Sequence, residues 1–235
     1  MMELFSFGPL GWGDEILAGL WVTVRLALAT LPLGLILGFA VAALSLSHLR
    51  LLRGLGAGYT TLMRGLPEIL TLFIVYNGLG LALNQIMGWL APNAAPIDFP
   101  PFAAGVIALA LVFAAFAAEV LRGAFLAVPE GQILAGRAIG MSAHKIFWRI
   151  KLPQLWRFAL PGMGNLWLNL LKDTALVSVI ALNDLMRMTK VAVGVTKQPF
   201  TFYLVACLIY WLMCVLSELV LTRMERRANR GLQRA

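Results

Sequence analysis

Five stretches of this sequence, near 20–45, 66–88, 102–124, 156–182 and 200–222, have about the length and apolarity that crossing a bilayer demands. A span needs about 20 mostly apolar residues, because backbone polar groups find no water in hydrocarbon and must satisfy one another along a helix. The expected fold class is therefore an all-α integral membrane protein of about five transmembrane helices, with residues 1–235 as a single transmembrane domain. Composition agrees: 60% of the residues are hydrophobic and 13% charged, about half the charged share of soluble domains. That balance excludes a soluble enzyme. The opening Met1-Met2-Glu3 has no basic n-region and no small-residue cleavage site, so the first apolar stretch is expected to remain as a span.

The net charge of +8 is unevenly placed. Basic residues gather in the first loop (His48, Arg50, Arg53, Arg64), the third (Arg137, Lys145, Arg149, Lys151, Arg157) and the tail (Arg223, Arg226, Arg227, Arg230, Arg234). If five helices alternate, all three lie on one side. The other side receives Glu3, Asp14, Glu15 and, in the proline-rich loop from Pro92 to Pro101, Asp98. Lys and Arg are retained on the cytoplasmic face, so the amino terminus is expected outside and the carboxyl terminus in the cytoplasm. The same asymmetry explains the charge without nucleic acid, since the aromatics lie in apolar runs and not between the basic residues. The segment after the fourth span, with Asp184, Arg187, Lys190 and Lys197, is charged on the outside and fits this rule poorly. It is expected to fold back partly against the bundle.

Helices in lipid associate where small residues let backbones approach. Gly34 and Gly38 form such a pair in the first span, and Ala114, Ala115, Ala117 and Ala118 make a small face in the third. Pro32 and Pro161 should kink their helices. Cys207 and Cys214 are seven apart on one expected helix, roughly 10 Å along its axis and beyond disulfide reach, and read as packing residues.

Val128-Pro129 should end the third span, because the residue before proline disfavours the α region. Residues 130–145 then read as a short amphipathic helix, with Ile133, Arg137 and Gly140 near one face and Ala135, Ala138 and Met141 beside them. Composition alone would lay it on lipid headgroups, with Arg137, Lys145 and Arg149 facing phosphates. Its small residues would also let the backbone sit deep in a partner's groove.

The spacing across this loop, about 128–153, carries more. Leu134-Ala135-Gly136, then Gly140, then nine residues and Ile150-Lys151-Leu152-Pro153 resembles the E-A-A---G---------I-L-P coupling loop of ATP-binding-cassette importer permeases. Glu119-Val120-Leu121-Arg122-Gly123-Ala124-Phe125 and Val128-Pro129-Glu130-Gly131-Gln132 resemble the version in the polar amino acid permeases. Gly58-Tyr59-Thr60-Thr61-Leu62-Met63-Arg64-Gly65 and Ala159-Leu160-Pro161-Gly162-Met163-Gly164-Asn165 look closest to the branch for histidine, lysine, arginine, ornithine and opines. The resemblance runs from Thr23 to the tail.

It implies the type I importer architecture, in the bacterial inner membrane, with a cytoplasmic coupling helix. That helix would sit in a cleft on an ATP-binding subunit and turn closure on ATP into rotation of the spans, with Leu134, Ala135, Gly136, Gly140, Ile150, Leu152 and Pro153 at the contact. The implied partners are two ATP-binding subunits, a second related permease completing a heterodimer, a periplasmic solute-binding protein, an amino acid substrate and surrounding lipid. The chain departs from the family at Leu134 and Gly136, in place of Glu and the second Ala. The lost carboxylate removes one ion pair available to the ATPase. With no Gly-Lys dipeptide there is no G-x-x-x-x-G-K-[ST] loop, so no cofactor is expected here and ATP with Mg²⁺ would be bound by the partner.

Charged residues within a span are functional candidates. The fourth span carries Asn165, Asn169, Lys172, Asp173 and Thr174 as candidates, and the three- and four-residue spacings direct Asn165, Asn169, Lys172 and Asp173 to one side, expected to face the bundle interior. An amino acid needs a donor for its carboxylate and an acceptor for its ammonium, and this stripe offers both. Packing against neighbouring helices would use the same residues. Lys172 to Ser178 is similar to the family's K-D-T-S-L word, which implies a substrate chamber at this level. Arg64-Gly65-Leu66-Pro67-Glu68 and Tyr76-Asn77-Gly78 resemble two further family words, which adds Glu68 and Asn77 as weaker candidates. Glu68 would otherwise pair with Arg64, and Glu119 with Arg122. Tyr76 and Trp89 read as interface anchors, Arg25 as buried or snorkelling.

Three classes compete. A membrane enzyme would need a catalytic constellation, and His48 and His144 both fall in basic loops, which leaves Glu68, Glu119 and Asp173 as the only general acid or base candidates. An ATP-independent secondary transporter would use the same intramembrane charges, and a channel would not need the loop spacing. The spacing favours an ATP-driven importer of polar, basic amino acids or opines.

Overall fold

The structure, a computed structural model, describes residues 2–8, 11–91, 95 and 98–229. Arg230, Arg234, Pro92 and Pro96 lie outside the described residues, as does the Glu3 side chain. Among the described residues all regular structure is helical: α1 Gly13–Ser45, α2 Arg50–Gly65, α3 Glu68–Leu90, α4 Pro101–Leu126, α5 Glu130–Ala138, α6 Ala143–Ile146, α7 Leu152–Asp173, α8 Leu185–Thr196 and α9 Pro199–Ala228. A wide π turn, Phe147–Lys151, joins α6 to α7, and a tight 3-10 run, Thr174–Ile180, continues α7.

Four of these helices, α1, α3, α4 and α9, are long and apolar enough to cross a membrane. The fifth expected span is assembled from α7 and the 3-10 run. Its Arg157, Asn165, Asn169, Lys172 and Asp173 lower its average apolarity below that of the other four. Pro32 and Pro161 lie inside α1 and α7, and both helices run on through them. Both cysteines, on α9, are free thiols, and Cys207 is exposed.

Helix α4 is the axis. Ala104, Ala110, Ala114, Ala115 and Ala117 are wholly enclosed, and α1, α2, α3 and α7 pack around it. The glycines of α1 make the tightest seam: a Cβ added at Gly38 would stand 2.9 Å from Ala117 Cβ, and one at Gly34 2.6 Å from Phe113 Cδ1. Neither distance is one a real side chain tolerates. In lipid, where apolar burial gains little, this close approach supplies the dispersion contacts that hold helices together.

Residues 50–65, expected as part of a basic loop, form α2 and lie against the bundle. Gly56 packs on Ser45, and the Tyr59 hydroxyl donates to Leu111 O in the interior of α4 at 2.7 Å.

The charged segment after the 3-10 run folds back against the bundle as expected. Helix α8 packs against α1 and α9, where Gly19 makes room for the backbone of Asp184 and Leu185. The Thr23 hydroxyl accepts from Leu185 N at 3.1 Å. Asp184 caps α8, accepting from Arg187 N at 3.0 Å and Met186 N at 3.2 Å. Burial pushes its carboxyl up to about 6, against those two N–H groups. Lys190 Nζ donates to Ser178 Oγ at 3.0 Å and Arg187 Nη1 to Ser178 O at 3.5 Å. Two of the cations expected to fit the topology rule poorly, Arg187 and Lys190, thus fasten α8 to the 3-10 run.

Candidate functional site: an acidic cavity and the turn that leads to it

The expected single helix over 130–145 is broken. Helix α5 ends at Ala138, and Gly140 follows with φ +79°. Met141 N donates to Gly136 O at 3.0 Å and Gly140 N to Arg137 O at 2.9 Å, the paired closure that ends a helix on a left-handed residue. Glycine takes that conformation without the Cβ clash of other L-residues. So Gly140 is required by the turn and not by close packing: nothing lies within 4 Å of the Cβ it lacks.

The chain then returns along α5. Gly136 is buried, and a Cβ there would stand 3.0 Å from Ile150 Cδ1 and 3.3 Å from Ile146 Cγ1, so a glycine at this position lets the two arms close. Ile150 is thereby turned inward. Pro153 sits in the first turn of α7, where a missing N–H has no helical partner to lose. Gln154 Nε2 donates to Gln132 Oε1 at 2.6 Å and to Ile150 O at 2.9 Å, tying α5 to α7. The outer surface is left apolar, with Leu134 53% and Ile139 79% exposed, and Ala135, Arg137, Lys145 and Arg149 are also exposed.

At the other end of α7 lies a cavity of about 280 Å³ bounded by α3, α4 and α7, near the lower end of the range for small-molecule sites, about 300–1,000 Å³. Glu68 and Asp173 both line it, with their carboxyls close enough to share a hydrogen bond. Asn169 adds an amide, and Val112, Phe113 and Phe116 an apolar wall. A larger groove of about 470 Å³ between α1, α7 and α9, walled by Leu35, Trp156, Leu160 and Trp167, offers no charge to a polar ligand.

Of the expected site residues, the structure brings Asp173, Asn169 and Glu68 together. It turns the others away. Asn165 and Lys172 are exposed and do not line the cavity, Thr174 is enclosed with its hydroxyl donating to Leu171 O at 2.6 Å, and Asn77 is exposed on α3 with Nδ2 donating to Phe73 O at 2.9 Å. The stripe does not face one side because each four-residue step overshoots a turn by roughly 40°, leaving Asn165 roughly 80° from Asp173 and Lys172 roughly 100° from it.

The expected Glu68–Arg64 pair does not form. Leu66 and Pro67 are extended and separate α2 from α3, so the two residues are not on one helix. Arg64 instead places its guanidinium 5.5 Å from the Phe116 ring centroid. Glu119 and Arg122 do pair, at 2.9 Å. Arg25 is exposed, over the Phe102 ring at 5.7 Å, and Trp89 is exposed at the end of α3. Sequence reasoning missed the α4 wall. Leu109, Val112, Phe113 and Phe116 recur with helical spacing, which any packing face also shows.

Comparison with known proteins decides the family. The model for the inner membrane component of binding-protein-dependent transport systems matches residues 31–230. The chain belongs to this family. Its members are transport subunits of a multi-pass kind, and this permease shares their apolar helices and its place in the inner membrane. It is 43% identical over 232 residues to the nopaline transport system permease protein NocQ of Agrobacterium fabrum, covering 99% of this chain and 98% of that one. It is 43% identical over 220 residues to the arginine ABC transporter permease protein ArtQ of Escherichia coli, covering 89% and 92%. A crystal structure of an amino acid ABC transporter with histidines superposes with a TM-score of 0.79 at 30% identity, covering 92% of this permease and 95% of that chain.

Proposed function

We propose that this permease forms one half of the transmembrane passage of an ATP-driven importer for basic amino acids or opines. The observation that carries the cargo class is the cavity wall: two carboxyls, Glu68 and Asp173, and no cation. Two carboxyls this close repel when both are ionised, and a cationic group beside them relieves the repulsion. Lys172, which on sequence argued against a cationic cargo, does not line the cavity. The names of the relatives, which concern nopaline and arginine, support the same class.

The drive comes from outside the chain. Two ATP-binding subunits bind ATP and Mg²⁺ and take the apolar face of Leu134 and Ile139. The permease itself is not catalytic. When the ATPases close, α5 moves, Gln132 pulls on Gln154, and α7 carries Asn169 and Asp173 with it. A second, related permease closes the open side of the chamber, and a periplasmic solute-binding protein delivers cargo from the side where the amino terminus lies. The carboxyl terminus is cytoplasmic.

Purification of the tagged chain from its native cells in mild detergent, with mass identification of what accompanies it, tests this reading. Stoichiometric recovery of an ATP-binding subunit and a second permease is expected. Recovery of the chain alone, under conditions that keep other importers intact, would overturn it in favour of a self-sufficient transporter.

A further inference from the structure

The cations around the start of α7 have partners or water. Lys151 Nζ lies 4.7 Å from the Phe125 ring centroid, Arg122 is paired with Glu119 at 2.9 Å, and Lys145 and Arg149 are exposed. Arg157 has neither. Its side chain is partly buried, its Nη2 is closed off from solvent with no hydrogen-bond partner, and it makes no ion pair among the described residues. A guanidinium taken out of water without an anion is costly. Arg157 lines a cavity of about 370 Å³ between the start of α5 and the first turns of α7, distinct from the acidic one. Pro129, Gln132, Gln154 and Phe158 complete its wall, with no carboxylate among them. Gln132 accepts from Gln154 through Oε1 at 2.6 Å, which leaves its Nε2 to donate. The cavity thus offers a fixed cation, an amide donor and an apolar ring, and the matching anion must come from outside the chain.

Position selects that anion. Arg157 lies about 8 Å along the helix axis from Leu152 at the start of α7, between Trp156 and Phe158, which are 42% and 46% exposed. Half-exposed aromatics at the end of a membrane helix mark the level of the head groups, where arginine meets phosphate. The planar fork of a guanidinium suits the oxygens of a phosphate. We propose that Arg157 and the amide of Gln132 hold a phosphate group in this cavity, supplied by the head group of an anionic phospholipid or as free phosphate. Bound there, it adds a second tie between α5 and α7 beside the Gln132–Gln154 bond, and stiffens the joint through which α5 acts on α7. The effect of that stiffening on coupling rests on the function proposed above; the binding does not.

The test is the melting temperature of the purified, assembled permease–ATPase complex, stripped of lipid in mild detergent and titrated with dioleoylphosphatidylglycerol in one arm and inorganic phosphate in the other. A ligand that binds the folded complex raises its melting temperature saturably, so the arm that saturates names the source. Arg157→Met should weaken the apparent affinity in that arm by about 10- to 100-fold, the range expected for hydrogen bonds to a charged group, and Arg157→Lys by less. Arg149→Met, at an exposed arginine nearby, should leave it within about twofold. Without ligand, Arg157→Met should melt no lower than wild type, because it removes an unpaired buried charge. No saturable rise in either arm overturns the proposal, as does an equal loss of affinity in Arg157→Met and Arg149→Met. A Met variant that fails to assemble, or melts lower than wild type without ligand, assigns Arg157 to packing and overturns it too.

Discussion

The seam between α1 and α4 and the cleft between α3, α4 and α7 share one central helix and are built on opposite principles. At the seam, Gly38 brings backbone against Ala114 and Ala117 and Gly34 against the ring of Phe113, and neither leaves room for another atom. At the cleft, the same helix turns Val112 and Phe116 toward an open space with two carboxyls in it. Over its most apolar 18 residues α4 is 67% buried, whereas α3 is 17% and α9 6%. A close-packed seam is bistable at best and moves as a block. The difference therefore separates a fixed post, α1 with α4, from the more open wall that α3 lends the cleft.

The strongest way to break this contrast is to widen the seam. Gly38→Leu forces a side chain onto Ala117 Cβ and Ala114 O, which cannot rotate away, and overpacking of this kind costs about 1–3 kcal/mol or more. A large fall in melting temperature in detergent is expected. Gly78→Ala on α3, where nothing lies within 4 Å, should leave stability unchanged or slightly raised. Equal tolerance at both sites would sink the idea of a fixed post.

On the cleft side the effect should be functional. Asp173→Asn is expected to lower cargo affinity and uptake by about 10- to 100-fold while the complex still assembles. Thr174→Val, one residue on, should instead destabilise the junction of α7 and the 3-10 run and leave affinity alone, because its hydroxyl serves Leu171 O. Uptake assays paired with thermal melts distinguish the two. Reversed outcomes would mean that the cavity is not the chamber.

These two regions were not equally legible. The seam could be read from residue size alone, because small residues four apart in an apolar run have few other uses. The cleft could be read only in part. Asp173 and Glu68 stand out as charges among apolar neighbours, but Leu66-Pro67 breaks the helical register on which an Arg64–Glu68 pair depended, and the drift of the helix carries Asn165 away from Asp173. Helix α2 was hidden because Gly54, Gly56 and Gly58 lower its intrinsic propensity, and tertiary contacts at Ser45 and Leu111 hold it. The spacing of Gly140 was legible, its reason was not: a glycine serves a close contact or a positive φ, and only the backbone says which.

That last distinction can be sharpened by experiment. Gly140→Val puts a β-branched residue at φ +79°, which costs about 1–2 kcal/mol or more, and should loosen the return of Ile150 onto Gly136. ATP hydrolysis that no longer responds to cargo is the expected result. Gly140→Asn should keep most of the coupling, since asparagine visits this conformation readily. If Asn uncouples as fully as Val, the glycine serves a contact with the ATPase and not the turn.

The smallest expected effect lies on the outer face of α5. Leu134 stands where the coupling-loop pattern that this segment resembles has a glutamate, and introducing the carboxylate would strengthen docking only if a cation waits on the ATPase. The surface around it argues otherwise. Leu134 and Ile139 are both exposed on this short segment, so a cleft that fits them is apolar and would strip water from a carboxylate without replacing it. Leu134→Glu is therefore expected to weaken the ATPase–permease association by about 1 kcal/mol, roughly fivefold, and Leu134→Met to be neutral. Titration of the ATPase against the permease in nanodiscs measures both. Tighter binding of the Glu variant would show that this face meets its partner through charge, and would make the coupling segment resemble the acidic cleft more than the apolar seam.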